Sequence, residues 1–370
     1  MKDLQSWPEP VVRVQSLSES GLRAIPDRYV KPPSDRPLLV SSPLAKDVNI
    51  PVIDLKGLFV GAKVPNGPDD PTLRQINEAC RNWGFFQVVN HGVDPKLMRM
   101  MRESWREFFH LPVESKQLYA NSPCTYEGYG SRLGVEKGAV LDWSDYYFLH
   151  YMPECLRNHE KWPALPPSCR NGFRGCREQI AEYSKQVVEL SGRLMKMLSL
   201  NLGLPEDFLQ RCFGGEDIGA CLRVNFYPKC PQPDLTLGLS SHSDPGGLTL
   251  LLPDENVPGL QVRRGDNWVT VNPVSDAFII NIGDQMQVLS NAIYKSVEHR
   301  VIVNSAQERV SLAFFYNPKS DIPIAPTPEL VTEDRPALYP AMTFDEYRLY
   351  IRTKGPRGKS QVESLKSARQ

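Results

Sequence analysis

His242 and Asp244 stand one residue apart in the stretch from Leu237 to Leu252, Leu-Gly-Leu-Ser-Ser-His-Ser-Asp-Pro-Gly-Gly-Leu-Thr-Leu-Leu-Leu. In extended backbone, residues i and i+2 project to the same side. An imidazole nitrogen and a carboxylate oxygen could therefore reach one metal ion together. Two ligands make a weak site, and His299, in Tyr-Lys-Ser-Val-Glu-His-Arg-Val, is the best candidate for a third. Two imidazoles and one carboxylate on one face of a metal leave the opposite positions open, which suits iron(II) and oxygen chemistry. Arg309-Val310-Ser311 could grip a carboxylate, Arg by a two-pronged ion pair and Ser by a hydroxyl donor. Tyr227, if it faces the same cavity, adds a third donor. That set suits a small dianionic co-substrate with one carboxylate at Arg309 and its other end on the metal.

Short strands must position these groups. Leu222, Val224 and Phe226 alternate with Arg223, Asn225 and Tyr227, which reads as a strand with one core face and one polar face. Val310, Leu312, Phe314 and Tyr316 alternate likewise with Arg309, Ser311, Ala313 and Phe315. From Cys221 to Pro318 the pattern is short β-rich runs broken by Pro, Gly and Asn, as in a sandwich or barrel. Strands are also expected at Asn49–Leu55 and Gly84–His91. Helices are expected at Thr72–Trp83, from Asp94-Pro95 to about His110, over Phe173–Leu202, from Leu204, and over Phe344–Thr353. The chain divides into an irregular arm (1–48, one short helix near Leu17–Leu22), a mixed region (49–215), a β core (216–320), a C-terminal segment with a lid helix (321–354) and a polar, disordered tail (355–370).

The chain of 370 residues is 41% hydrophobic and 23% charged, ordinary for a soluble protein with a real core. Its 43 basic and 43 acidic residues cancel, which argues against a nucleic-acid-binding face. No apolar run is long enough for a membrane span or a signal peptide, so a cytoplasmic protein without membrane partners is expected, the nucleus being a second location. The eight cysteines form no Cys-x-x-Cys pair, and reduced thiols are expected. His91 reads as a turn residue. His110, His150 and His159 have no acidic or His neighbour at useful spacing.

The sequence resembles the plant family of iron(II)- and 2-oxoglutarate-dependent dioxygenases. The match runs through Asn225-Phe226-Tyr227-Pro228, His242-x-Asp244, Ser290-Asn291 to His299-Arg300 and Arg309-x-Ser311. It includes Pro51–Leu55 and Gly84–Gly92 as well, so it covers roughly residues 45 to 350. A lone His-x-Asp is worth little; four motifs in order are specific. The resemblance implies a mixed α and β fold dominated by a double-stranded β-helix, or jelly-roll, core with flanking helices. It implies iron on His242, Asp244 and His299, and 2-oxoglutarate on Arg309 and Ser311, with Tyr227 in support and Asn225 nearby. Dioxygen is the further substrate, and ascorbate helps keep iron reduced. 2-Oxoglutarate would leave as succinate and carbon dioxide while the substrate is hydroxylated.

Arg223 shares a strand face with Asn225 and Tyr227, and a buried arginine without an anion is costly. Phe344, Arg348 and Arg352 are spaced by four and share a helix face. If that helix lids the barrel, the three arginines with Phe315 and Phe344 could surround a small apolar carboxylic acid. Within the family the chain resembles the jasmonate-induced oxygenases. This implies conversion of jasmonic acid to 12-hydroxyjasmonic acid, a hormone-inactivating step, by a monomer. Two further readings stand beside it: a flavonoid-pathway dioxygenase of the anthocyanidin or flavonol synthase kind, kept open by the aromatic run Tyr126–Tyr147, and a non-catalytic small-acid binder. An iron oxidase that needs no 2-oxoglutarate is a third.

Overall fold

A computed structural model describes residues 10–37, 49–58, 70–122, 126–131, 137–164, 166, 175–354 and 360–366, the side chains of 352–354 and 360–361 excepted. Its helices are α1 (Val14–Glu19), α2 (Pro71–Asn82), α3 (Pro95–Phe109), α4 (Val113–Gln117), α5 (Cys176–Asn201), α6 (Phe208–Cys212), α7 (Asp284–Leu289), α8 (Phe344–Lys354) and α9 (Ser360–Ser364). Its strands are β1 (Val52–Asp54), β2 (Phe85–Val89), β3 (Gly128–Gly130), β4 (Asp145–Met152), β5 (Gly219–Tyr227), β6 (Leu239–His242) and β7 (Leu248–Leu252). The rest are β8 (Leu260–Arg264), β9 (Asn267–Thr270), β10 (Phe278–Ile282), β11 (His299–Val301), β12 (Arg309–Asn317), β13 (Pro323–Ile324) and β14 (Met342–Thr343).

An eight-stranded sheet runs β1-β2-β10-β7-β12-β5-β4-β3, and a four-stranded sheet runs β6-β11-β8-β9. Only the β1–β2 pair is parallel among the described strands. Strand alternation gives the large sheet two different faces. Val88, Ile280, Leu250, Leu312, Val224 and Tyr147 bury into the main core together with Leu73 and Ile76 of α2, Met101 and Trp105 of α3, and Val187 and Leu194 of α5. Each fully buried aliphatic of this kind contributes about 1.5–3 kcal/mol. On the other face, Phe85 and Ile279 meet Leu260 and Val262 of the small sheet. The mixed α and β fold with a jelly-roll-like core and outer helices is the expected one.

Local chemistry explains the boundaries. Asp94 accepts from the Lys96 amide with Pro95 in the first turn of α3, and Asp70 caps α2 in the same way. Such a cap is worth about 1 kcal/mol. Gly247 turns the chain where any Cβ would strike the Phe213 ring.

Four expectations are corrected. The short arm helix begins at Val14, three residues ahead of Leu17, because the buried Asp145 carboxylate accepts from the Val14 and Gln15 amides. The helix expected from Leu204 forms only at Phe208. The tail expected to be disordered contains α9, which places Val362, fully buried, in the main core, and residues 355–359 and 367–370 lie outside the described residues. Cys176 is disulfide-bonded, whereas Cys80, Cys155, Cys212, Cys221 and Cys230 are free thiols as expected.

Candidate active site

β6 and β11 pair antiparallel with His242 opposite His299. Partners across a ladder project to one face, and the two imidazole centroids lie 4.2 Å apart. Asp244 follows the end of β6, and its Oδ1 lies 3.6 Å from His242 Nε2 and 3.7 Å from His299 Nε2. One ligand atom from each of the three lies within 4.8 Å of the others, so the trio could hold a single ion.

Each of these side chains is held from behind. His242 Nδ1 lies 2.8 Å from the Ser240 carbonyl and His299 Nδ1 lies 3.1 Å from the Val297 carbonyl. A carbonyl only accepts, so both Nδ1 atoms carry the proton and both Nε2 lone pairs are left for a metal. Asp244 Oδ2 accepts from Thr249 Oγ1 at 2.5 Å and Asn281 Nδ2 at 2.7 Å, which leaves Oδ1 toward the imidazoles. Burial and the neighbouring His242 push His299 down to about 4. Burial opposes ionisation of Asp244, but His299 and His242 outweigh it and hold the carboxyl well below the usual carboxylate range. Burial lowers His242, and Asp244 more than reverses this. The result is an anionic carboxylate that draws positive charge between two rings. Iron(II) there would supply the charge that a His242 proton otherwise brings, so the donor set fits the metal.

The co-substrate side lies on β12 and β5, where Arg309 pairs opposite Tyr227 and Ser311 opposite Asn225. Arg309 is buried; its Nε donates to the Val257 carbonyl at 3.1 Å and its Nη1 to Ser311 Oγ at 3.2 Å. The guanidinium lies 5.2 Å from the Tyr227 ring, whose hydroxyl is hydrogen-bonded with Ser311. Among the described residues no carboxylate comes within ion-pair distance of Arg309. A buried cation so placed fits a dianionic ligand.

Arg223 is half-buried on the same sheet face. Its Nε donates to Asn225 Oδ1 at 2.7 Å, and its guanidinium lies 4.4 Å from the Tyr146 ring. Asn225 thus links Arg223 to the Arg309–Ser311 side. Among the described residues no carboxylate pairs with Arg223. Phe315 is half-buried on this face, opposite Cys221. On α8, Phe344 is buried and Arg348 is exposed, its guanidinium 5.6 Å from the Phe344 ring. The Arg348 charge is felt at both His150 and Cys221, which pair across β4 and β5. That places α8 beside this end of the sheet. The side chain of Arg352 lies outside the described residues.

Several residues here escaped the sequence reading. Thr249 and Asn281 are single polar residues in apolar strands, a signal that was present. His150 shares the face of Tyr146 and Phe148, with burial and then Arg348 pushing it down to about 4. Lys31 Nζ lies 2.7 Å from Asp142 Oδ1, and Asp142 Oδ2 accepts from the Ser240 amide at 3.0 Å. The arm is thereby tied to the strand that carries His242. His110 does have an acidic partner, Glu308 at 2.7 Å, remote in sequence. His91 serves a turn as expected, accepting from the Val93 amide and lying 2.9 Å from the Asp276 carbonyl. The aromatic run is largely structural, with Tyr129 and Tyr147 in the main core.

Residues 218–318 match the 2OG-Fe(II) oxygenase superfamily, and residues 50–165 match the N-terminal region described as non-haem dioxygenase in morphine synthesis. The chain belongs to the 2OG-Fe(II) oxygenase superfamily: it is a 2-oxoglutarate-dependent dioxygenase that uses iron(II). It is 64% identical to Jasmonate-induced oxygenase 1 of Arabidopsis thaliana, covering 99% of this chain and 88% of the relative. Jasmonate-induced oxygenase 2 of the same plant is also 64% identical, over 99% of this chain and 96% of the relative. The solved structure of JOX2 in complex with 2OG, Fe and JA superposes with a TM-score of 0.88 at 64% identity, covering 98% of this chain and 100% of that one.

Proposed function

We propose that this enzyme hydroxylates jasmonic acid to 12-hydroxyjasmonic acid. One observation carries the substrate choice: a chain 64% identical, with the same fold, is known as a complex with 2OG, Fe and JA. The local chemistry agrees with it, since Arg223 has no carboxylate partner among the described residues and shares a sheet face with the apolar Phe315. In this reading His242, Asp244 and His299 hold iron(II). Arg309 and Ser311 hold the distal carboxylate of 2-oxoglutarate, with Tyr227 in support and Asn225 alongside. Arg223, Arg348 and Arg352 bind the substrate carboxylate while Phe315 and Phe344 wall its apolar body. The metal, when bound, supplies dioxygen activation at the expense of 2-oxoglutarate. The protein orients both acids and keeps water from the reacting carbon.

The catalytic core is assigned to residues 216–320, with 1–48 as arm, 49–215 as the N-terminal region, 321–354 as the lid segment and 355–370 as tail. The enzyme is read as a cytoplasmic monomer, the nucleus being a second location, without nucleic-acid or membrane partners. Balanced charge supports this, as does the absence, among the described residues, of a helix long and apolar enough to cross a membrane. Mass spectrometry after incubation with iron(II), 2-oxoglutarate and either jasmonic acid or a dihydroflavonol tests the substrate. Jasmonic acid gains one oxygen atom and the dihydroflavonol is left unchanged; oxidation of the dihydroflavonol alone, as loss of two hydrogens or gain of oxygen, moves the enzyme to the flavonoid class, and neither product with intact binding makes it a binder.

A further inference from the structure

α8 presents Phe344 and Arg348, yet the metal trio lies on other elements, β6, β11 and the turn after β6. One buried hydrogen-bonded chain joins them. The Tyr347 hydroxyl donates to Asp284 Oδ2 at 2.7 Å, and Ser243 Oγ donates to the same oxygen at 3.1 Å. The Asp284 amide donates to the Asp244 carbonyl at 2.8 Å. Ser243 sits between His242 and Asp244 in the chain. Tyr347, Asp284 and Ser243 are all buried, and no described basic side chain pairs with Asp284. A carboxyl group enclosed this way costs stability compared with apolar packing. Phenylalanine in place of Tyr347 would fill the same core volume but leave the buried Asp284 carboxyl short of one donor. We infer that Tyr347 is a positioning residue, coupling the seating of substrate against α8 to the placement of the loop between the proposed metal ligands.

This rests on the substrate reading above, and the test separates the two. The measured quantity is succinate formed per hydroxylated jasmonic acid in the iron-loaded enzyme. Tyr347→Phe raises that ratio by about threefold to tenfold, the factor one lost hydrogen bond carries. Ser243→Ala raises it similarly, and the double variant raises it no further. Tyr350→Phe removes a hydroxyl of the same helix that meets Ser364 Oγ at 2.8 Å, away from the loop, and leaves the ratio unchanged. A wild-type ratio in Tyr347→Phe overturns the inference, even if the variant melts earlier. If Tyr347→Phe does not fold, a wild-type ratio in Ser243→Ala overturns it equally. If the wild type leaves jasmonic acid unoxidised, the substrate reading fails. The bridge is then judged by 2-oxoglutarate turnover without substrate, which Tyr347→Phe must raise for the inference to stand.

Discussion

Two residues separate the roles of the two carboxylate clamps. Arg309→Ala removes a buried charge-assisted grip and should raise the KM for 2-oxoglutarate about 10- to 100-fold, the effect of losing a hydrogen bond to a charged group. The KM for jasmonic acid should move far less, and steady-state kinetics with each acid varied in turn checks this. Arg223→Ala should do the reverse; equal effects on both acids would make Arg223 a structural partner of Asn225 only. His242→Ala should abolish succinate formation and iron(II) binding together. At this scale the sequence was informative where spacing is short. Asp244 lies two residues from His242 and Ser311 two from Arg309, so alternation alone puts each pair on one side. It was silent on groups brought in from afar. Lys31 reaches Asp142 across 111 positions, and His110 finds Glu308 across 198. Periodicity carries no information about such contacts.

The elements carry their own consequences. The arm is fastened to β6 through the Lys31–Asp142 pair, in which Lys31 is buried and Asp142 half-buried, and Asp142 meets both the amide and the hydroxyl of Ser240. Lys31→Met leaves Asp142 half-paired and should lower stability by about 1–3 kcal/mol, the cost of a charge-assisted hydrogen bond lost at a partly buried group. Thermal denaturation checks the loss; limited proteolysis should also show earlier release of the arm. β5 and β12 were readable because one face of each is strictly apolar. α9 was not, because Ser-Gln-Val-Glu-Ser has a single apolar residue and its docking depends on a core that local sequence does not reveal. α1 likewise owes its start to Asp145, more than a hundred positions away. Local propensity is a weak prior once tertiary partners supply the cap.

For the whole molecule, acid stability follows from burial. His150 is pushed down to about 4 in the fold against 6.5 in an unfolded chain. The unfolded state therefore binds more protons between those values, so stability falls as pH drops from about 6.5 toward 4. Asp284 acts in the opposite sense. Burial pushes it up to about 6 from 3.8, so its contribution grows as pH falls across that window. His150→Gln should flatten the acid limb of thermal stability measured on the metal-free enzyme; an unchanged limb would place His150 in water. The fold class was legible because the chain's alternation, turns and motif order all point one way. His242 and His299 are ladder partners. A one-residue slip of β11 against β6 would turn every side chain of that strand to the opposite face and carry one imidazole away from the other. Metal loading therefore depends on the register of this one strand pair. A chain that pairs these strands one residue out of step would keep most of its secondary structure but split the metal trio, so iron bound per chain should report the fraction in the native register.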